Sequence, residues 1–351
     1  MNESLSSSLL QQAIGRRNRE RPPVWFMRQA GRYHRHYQQL RARHDFVQLC
    51  KQPQLAVEVT MGPVEDFGFD AAILFSDLLF PLEAMGMGLR YAPGPQLDWH
   101  LRERADLRRL HGGAARAAHM SFQAEAIALL RRRLPAERSL IGFVGGPFTL
   151  YAYAVAGSHE GFVRDSLVGA DGALYAGFNE ALRELLAANM ALQAEAGADC
   201  VAIFDTAAGT LSPAQFASQA APALAAVVAE FRARCPHTPL IYYSRDTGPA
   251  HWAALRGIDL QCLGVDWRHD LGAVLQSEGE HWSVQGNIDP QWLLLPAAQL
   301  EQRLRELFAR VLQLPAAVRA GWICGLGHGV LQSTPEQNVR LALQVQREMF
   351  A

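Results

Sequence analysis

The chain has 351 residues, of which 49% are hydrophobic and 19% charged, and its formal net charge is −1. This length accommodates two domains or one large α/β barrel, and the composition excludes disordered and fibrous chains. No apolar run is long enough to span a membrane, and no block of one charge sign offers a footprint for nucleic acid or a membrane surface. We therefore expect a soluble globular protein without either partner.

The basic and sulfur-containing residues exclude several further classes. The 33 basic residues comprise 32 Arg and a single Lys, Lys51, which no glycine-rich loop precedes. A phosphate-binding P-loop and a lysine Schiff base are therefore not indicated. The five cysteines are odd in number and form no CxxC pair, so we expect reduced thiols and a cytoplasmic protein. The first 23 residues do not read as a secretory signal.

The predicted elements alternate between helices and short apolar strands. A short helix is predicted at residues 7–18, and longer helices at 170–197, 299–313 and 336–350. The apolar runs lack clean alternation, as expected of parallel strands covered on both faces. Eight such runs occur, at residues 23–27, 70–75, 139–145, 199–205, 239–244, 260–266, 282–287 and 321–327.

Eight strands alternating with helices predict an α/β fold of the closed (β/α)8 TIM-barrel type. A doubly wound open sheet is the alternative, but no GxGxxG follows the first strand. In a barrel the active site lies at the carboxyl ends of the strands. Those ends are polar here and carry Arg28, Arg32, Ser76, Asp77, Gly145, Gly146, Asp205, Thr206, Ser244, Arg245, Asp246, Asp266, Asn287, Asp289 and His328, with Tyr151 and Tyr153 following the third strand.

Arg28 and Arg32 lie four residues apart across Gly31, so one short turn can direct both guanidinium groups toward the same anion. The planar guanidinium binds carboxylates through paired, charge-assisted hydrogen bonds. A surface turn bridged to acidic neighbours is the alternative. Their place at a predicted strand end favours a ligand site, which Arg41 on the next helix would extend.

Three aspartates and one histidine at strand ends have competing interpretations. Asp77 ends the run AAILFSD and is either a functional carboxylate or the cap of the next helix. For Asp205 and Asp266 the helix cap is favoured. His328 lies among the glycines of GLGHG, where backbone can approach a ligand closely, so a functional role is favoured over packing. No metal site is predicted.

Five motifs agree in order and spacing with one family. They are PVWFMRQAGRY (23–33), ILFSDLL (73–79), IGFVGGPFTL (141–150), VQGNIDP (284–290) and GLGHG (325–329). By these motifs the chain resembles the uroporphyrinogen decarboxylases over nearly its whole length. The resemblance implies one barrel domain over residues 1–351, a homodimer, and decarboxylation of the four acetate arms of a porphyrinogen without metal or organic cofactor.

The resemblance also implies roles for residues. Asp77 would accept hydrogen bonds from the pyrrole N–H groups and stabilise a cationic intermediate, and Arg28 would donate or relay a proton. The implied substrate shell is Arg28, Gln29, Ala30, Arg32, Arg41, Asp77, Tyr153, Thr206 and His328. A substrate with eight carboxylates needs arginines and a cationic intermediate needs a nearby anion, so this assignment agrees with the strand-end inventory.

The sequence departs from the family pattern at Arg35, His36, Ala207, Arg245 and Gly325. These departures indicate a divergent member and leave two alternatives open. One is a tetrapyrrole-binding paralogue without catalysis. The other is a corrinoid or coenzyme M methyltransferase of the same superfamily, which would need a zinc site of the His-x-Cys type; IYYSRD stands in its place, and Cys324 has no evident partner.

Overall fold

The computed structural model describes residues 8–92, 94–157 and 172–351. The chain divides into two compact units, each assembled from separate stretches of sequence. The first unit comprises Met1–Phe75, Leu129–Ile141 and Leu260–Ala351, and the second comprises Ser76–Ala128 and Gly142–Asp259. Within the described residues, no helix is long and apolar enough to cross a membrane.

The strands of the described chain are β1 (Ala71–Ile73), β2 (Arg90–Tyr91), β3 (Pro95–Gln96), β4 (Ser139–Gly145), β5 (Cys200–Phe204), β6 (Leu240–Tyr243), β7 (Cys262–Gly264), β8 (Ser283–Ile288) and β9 (Trp322–Leu326). Seven of them form one parallel sheet in the order β1, β4, β5, β6, β7, β8, β9, whereas β2 and β3 form a small antiparallel pair. Registers include Ala71 opposite Ser139, Val201 opposite Leu240 and Val284 opposite Trp322. Every residue of the seven sheet strands is buried, which explains their uninterrupted apolar character.

The first predicted strand, residues 23–27, is reduced to one parallel bridge between Val24 and Cys324. Two hydrogen bonds tie this segment to β9, from Trp25 N to Cys324 O (3.3 Å) and from Cys324 N to Pro23 O (2.9 Å). On its other side Asp70 N donates to Val24 O (2.9 Å). Pro22 and Pro23 lack N–H donors and so limit the ladder, which is why seven strands form where the sequence predicts eight.

A buried ion cluster anchors the same segment within the first unit. Asp70 accepts from Val24 N (2.8 Å) and pairs with both Arg21 (2.6 Å) and Arg138 (2.7 Å). Its carboxylate is almost fully buried, with 4% exposure, and both of its oxygens are satisfied by charged donors. The carboxylate therefore fixes the entry into the first strand segment and is structural.

The predicted helices are found with small shifts at their ends. The 7–18 prediction corresponds to Leu9–Ile14, which a capping box between Ser8 and Gln11 begins. The 170–197 prediction corresponds to Gly172–Glu195, and its first two residues lie outside the described part of the chain. The remaining two correspond to Ala297–Leu312 and Glu336–Met349. Further α-helices of the described chain are Arg35–Arg41, Phe46–Lys51, Pro53–Phe67, Phe80–Ala84, Ser121–Arg133, Pro147–Ala156, Pro213–Gln215, Ala221–Arg232, Pro249–Trp252, Leu271–Glu278 and Ala316–Arg319.

Candidate active site

The arginine turn of the first unit is built around Gln29. The Gln29 side-chain amide accepts from Phe26 N (3.2 Å) and donates to Ala71 O (3.0 Å), while the hydroxyl of Tyr33 donates to Gln29 O (2.7 Å). Gln29 is 1% exposed, whereas its neighbour Arg28 is exposed and adopts a left-handed φ of 62°. The buried amide thus holds a strained turn that projects Arg28 outward.

The GLGHG loop lies directly against this turn. Val330 N donates to Met27 O (2.9 Å), and a β-carbon built on Gly329 would lie 2.5 Å from Cδ of Arg28. A side chain at position 329 would therefore displace Arg28 from its path across this loop. His328 Nδ1 accepts from Gly329 N (2.6 Å), and its ring meets Trp267 edge-on at 6.3 Å. The structure thus brings the loop of His328 and the side chain of Arg28 together.

The other predicted residues of the first unit have local contacts. Arg32 is exposed, and its carbonyl oxygen accepts from Gln38 Nε2 (2.8 Å). Arg41 is also exposed and donates to the carbonyl oxygen of His44 (2.6 Å). Ala30 packs against the apolar cluster around Tyr37. A substrate could therefore meet Ala30 only through its backbone. Gln29 offers neither its side chain nor its backbone N–H, which donates to Phe26 O (3.0 Å), and so serves to hold the turn.

In the second unit, Asp77 lies in the turn that follows β1. Its Oδ1 accepts from Leu79 N (2.8 Å), a bond that fixes the turn before the helix Phe80–Ala84. A β-carbon on Gly145, at the end of β4, would lie 3.1 Å from Leu78 O. The Asp77 turn is thus packed against the end of β4. The side chain is half-buried, so both interpretations of Asp77, a local cap and a functional carboxylate, are compatible with its geometry.

Gly146 allows the end of β5 to approach even more closely. A β-carbon on Gly146 would lie 2.3 Å from Cβ of Asp205, the residue that precedes Thr206. The glycine pair of GGPFT therefore has a physical reason at both positions: one glycine admits the Asp77 turn and the other admits the Asp205 carboxyl. In the second unit the two glycines gather the turns that carry Asp77 and Thr206 at the end of β4.

Asp205 is fully buried, and its carboxyl accepts from Thr149 N (2.7 Å) and from the Tyr242 hydroxyl (3.4 Å). It therefore caps the helix Pro147–Ala156, which precedes it in the chain, and not the turn that follows it. Desolvation by burial raises the pKa of the carboxyl to about 6, against the opposing effect of hydrogen bonds led by the Thr149 side chain. Sequence reasoning missed Thr149, for which the only signal is its place in GGPFT.

Asp266 has a structural role in the first unit. Its carboxylate is fully buried, accepts from Arg268 N (3.0 Å) and pairs with the Arg268 guanidinium (2.5 Å). The Asn287 amide donates to the carbonyl oxygens of Asp266 (2.9 Å) and His269 (2.8 Å). These bonds tie the ends of β7 and β8 together. The interpretation of Asp266 as a helix cap is wrong, because the next helix, Leu271–Glu278, is capped by Asp270, which accepts from Ala273 N (2.8 Å).

The residues that depart from the family pattern also have local contacts. Arg35 N donates to Glu336 Oε1 (2.5 Å), and His36 Nε2 lies 3.0 Å from Glu58 O. Ala207 is buried and donates its N–H to Thr149 Oγ1 (3.0 Å), and Arg245 pairs with Asp246 (2.9 Å). Each of these four departures is accommodated by its surroundings.

The cysteines do not form a metal centre in the described residues. All five are buried, and burial raises the pKa of the Cys262 thiol to about 12 and raises that of Cys324 still further. Among residues 8–92, 94–157 and 172–351, no three His, Cys, Asp or Glu side chains cluster in a way that could hold a metal ion.

Comparisons with known proteins agree on one family. The family described as uroporphyrinogen decarboxylase (URO-D) matches residues 5–349. The chain is 39% identical to a uroporphyrinogen decarboxylase of Chloroflexus aggregans over 93% of this chain and 91% of the relative, and 38% identical to that of a Roseiflexus species over 94% of each. Among solved structures it is similar to a methyltransferase from Methanosarcina mazei, with a TM-score of 0.74, 18% identity, and coverage of 99% of this chain and 100% of that chain. At 18% identity, this structural similarity shows a shared fold alone.

Proposed function

Because the chain belongs to the uroporphyrinogen decarboxylase family, we propose that it converts the four acetate side chains of uroporphyrinogen III to methyl groups, giving coproporphyrinogen III and four CO2. The observation that carries this proposal is the match of the family and of its relatives across nearly the whole chain. The proposal is also supported by the arginine turn and by Asp77, which both lie at predicted strand ends. The enzyme is accordingly a carboxy-lyase of tetrapyrrole and haem biosynthesis.

Arg28 and Arg32 bind substrate carboxylates in this proposal. Both side chains are exposed, and the backbone that carries them is held by the buried Gln29 amide and by the bond from Gln38 to Arg32 O, so only side-chain freedom is lost when they engage an anion. Arg41, His328, Tyr153 and Thr206 complete the substrate shell, with Ala30 contributing backbone groups and Gln29 holding the turn. The guanidinium pKa is too high for Arg28 to be a good acid itself, so it relays a proton from water or a substrate carboxyl.

Asp77 stabilises the cationic intermediate. Protonation of a pyrrole carbon next to an acetate arm places positive charge on the ring, and the electrons of the breaking carbon–carboxylate bond then flow into that ring as CO2 leaves. A second proton, added to the resulting exocyclic methylene carbon, gives the methyl group, and loss of the first proton from the ring carbon restores the pyrrole. One proton is therefore consumed for each CO2 released. An ionised carboxylate that accepts from the pyrrole N–H groups lowers the energy of the cation.

The finer architecture is part of the same proposal. We propose that the sheet closes as a TIM barrel in a single domain, supported by the bonds of residues 23–25 to β9 and to Asp70. We also propose a cytoplasmic homodimer that needs neither metal nor organic cofactor. Sedimentation at micromolar concentrations should give twice the chain mass of 38.7 kDa, and a mass of one chain would contradict the dimer.

Anaerobic incubation with uroporphyrinogen III tests the function directly. We expect the eight-carboxylate substrate to give seven-, six-, five- and finally four-carboxylate products, which chromatography separates. Tight binding without any product would instead identify a non-catalytic tetrapyrrole-binding paralogue. Stoichiometric zinc in the purified protein, together with absence of decarboxylation, would favour the methyltransferase alternative.

A further inference from the structure

Asp205 and Thr149 form a two-way clamp between the end of β5 and the helix Pro147–Ala156. Thr149 N donates to the Asp205 carboxyl (2.7 Å), and in return Ala207 N donates to Thr149 Oγ1 (3.0 Å). The Thr149 hydroxyl also hydrogen-bonds the Asp205 carboxyl. Asp205, Thr149 and Ala207 are all buried, so each of these bonds is protected from water.

Two residues of the proposed substrate shell lie on either side of this clamp. Thr206 is the residue between Asp205 and Ala207, and its backbone is therefore held at both neighbours. Tyr153 follows Thr149 by four residues on a continuous helix, so the two side chains share one helix face. Ser244 Oγ adds a bond to the carbonyl oxygen of Asp205 (2.9 Å) and holds the preceding peptide unit.

We propose that Asp205 and Thr149 are positioning residues that fix Thr206 relative to Tyr153, and thereby set how well the porphyrinogen fits this part of the site. Neither needs to touch the substrate. The inference rests on the proposed function, because it assigns Thr206 and Tyr153 to substrate binding. A small displacement of binding groups weakens the complex even though no contact residue has changed.

Thr149→Val tests the clamp because it keeps the size of the side chain and removes the acceptor of Ala207 N. We expect KM for uroporphyrinogen to rise about tenfold with a smaller change in kcat, the pattern of lost uniform binding. Thr149→Ser retains the hydroxyl and should restore KM to within about twofold of the wild type. Ser283→Ala is the control, since it removes another buried side-chain bond, to Gln261 O (3.0 Å), at the opposite end of a strand.

Hydrogen exchange gives a second measurement that does not depend on activity. Peptides covering residues 205–210 should exchange faster in Thr149→Val than in the wild type and in Ser283→Ala, because Ala207 N has lost its acceptor. If the wild type is active and Thr149→Val has unchanged KM, or a KM that Thr149→Ser does not restore, the inference is wrong and the function stands. If the wild type converts no uroporphyrinogen, the proposed function is wrong, and so is the proposed effect on substrate fit. The exchange rates then still decide whether the clamp fixes Thr206.

Discussion

Asp77 carries the charge that the proposed chemistry needs most. Asp77→Asn keeps an oxygen that can accept from Leu79 N, so the turn should persist while the negative charge is lost. Removal of one preorganised electrostatic partner typically lowers kcat by about 10²- to 10³-fold, and we expect a loss of this size. Asp289→Asn is the matched control, because Asp289 makes the same local bond, to Gln291 N (2.9 Å), at the end of β8. Near-full activity of Asp77→Asn would contradict the electrostatic role.

Arg28 and Arg32 should respond differently to the same substitution. The side chain of Arg28 crosses the backbone of Gly329, whereas Arg32 lies beyond the turn, so their environments differ. By the family resemblance Arg28 is nearer the reacting arm, and Arg28→Lys should mainly lower kcat, while Arg32→Lys should mainly raise KM. Steady-state kinetics of both variants, with thermal midpoints as the folding control, measures this. Unchanged kcat in folded Arg28→Lys would remove Arg28 from catalysis.

Gly325 departs from the family pattern for a reason that the structure supplies. A β-carbon there would lie 2.4 Å from Gln285 Nε2 and 2.9 Å from Trp25 O, and both neighbours are buried. Restoring asparagine by Gly325→Asn should therefore overpack the interior and lower the free energy of unfolding by about 1–3 kcal/mol. Urea unfolding measures the effect. Adding Gln285→Ala should recover part of the loss, and an equally destabilised double variant would show that Gln285 is not the obstacle.

At the scale of elements, the Asp205 carboxyl at the end of β5 should make the free energy of unfolding depend on pH. Burial raises the pKa of Asp205 to about 6, so the folded chain binds this proton more tightly than the unfolded chain. The stability contributed by the protonated carboxyl is complete below about pH 4 and is lost as the pH rises through about 6. The titratable groups that face it, the Tyr242 and Tyr175 hydroxyls, have pKa values raised above the ordinary tyrosine value and stay neutral.

Asp205→Asn removes this titration. The stability of the variant relative to the wild type should therefore increase by about 1 kcal/mol between pH 5 and pH 7.5, whatever the constant cost of the substitution. Urea unfolding of both proteins at the two pH values measures the difference, and groups common to both proteins cancel. A difference that is independent of pH, or one that falls with pH, would mean that Asp205 is ionised normally in the folded chain.

The sequence correctly predicted those elements that are determined by neighbouring residues in the chain. For β4 the prediction matches the observed Ser139–Gly145, because a fully buried apolar run is bounded by polar residues and by a glycine pair. The run at residues 23–27 fails as a strand for two reasons. Pro22 and Pro23 cannot donate to a ladder, and the residue with which Val24 pairs, Cys324, lies 300 positions away. Periodicity carries no information about such a partner.

The candidate site likewise contains residues that local sequence could suggest and contacts that it could not. The strand-end rule proposes Arg28, Asp77 and His328 as site residues, because their positions follow from where apolar runs stop. The clamp between Thr149 and Asp205 could not be predicted, since the two residues are 56 positions apart and Asp205 resembles an ordinary helix cap. Nor could the sequence show that the Gln29 amide is used by Phe26 and Ala71 and is not free for substrate.

At the scale of the whole molecule, the boundary between the two compact units falls within one strand, β4. The first unit uses three separate segments, and β4 contributes Ser139–Ile141 to the first unit and Gly142–Gly145 to the second. β1 pairs with the first part of this strand. Unfolding of the second unit would therefore unravel half of a strand whose other half belongs to the first unit.

We therefore expect one cooperative unfolding transition, although chains of this length often unfold in steps. Calorimetry should give a single peak whose calorimetric and van't Hoff enthalpies agree. Tryptophan fluorescence should report chiefly the first unit, since five of the seven tryptophans lie there and only Trp99 and Trp252 lie in the second. Its midpoint should coincide with that of far-ultraviolet circular dichroism, which reports both units. Separate midpoints would show that the units unfold independently, and the proposal of a single domain would then be wrong, because each unit would be stable without the half of β4 that it lacks.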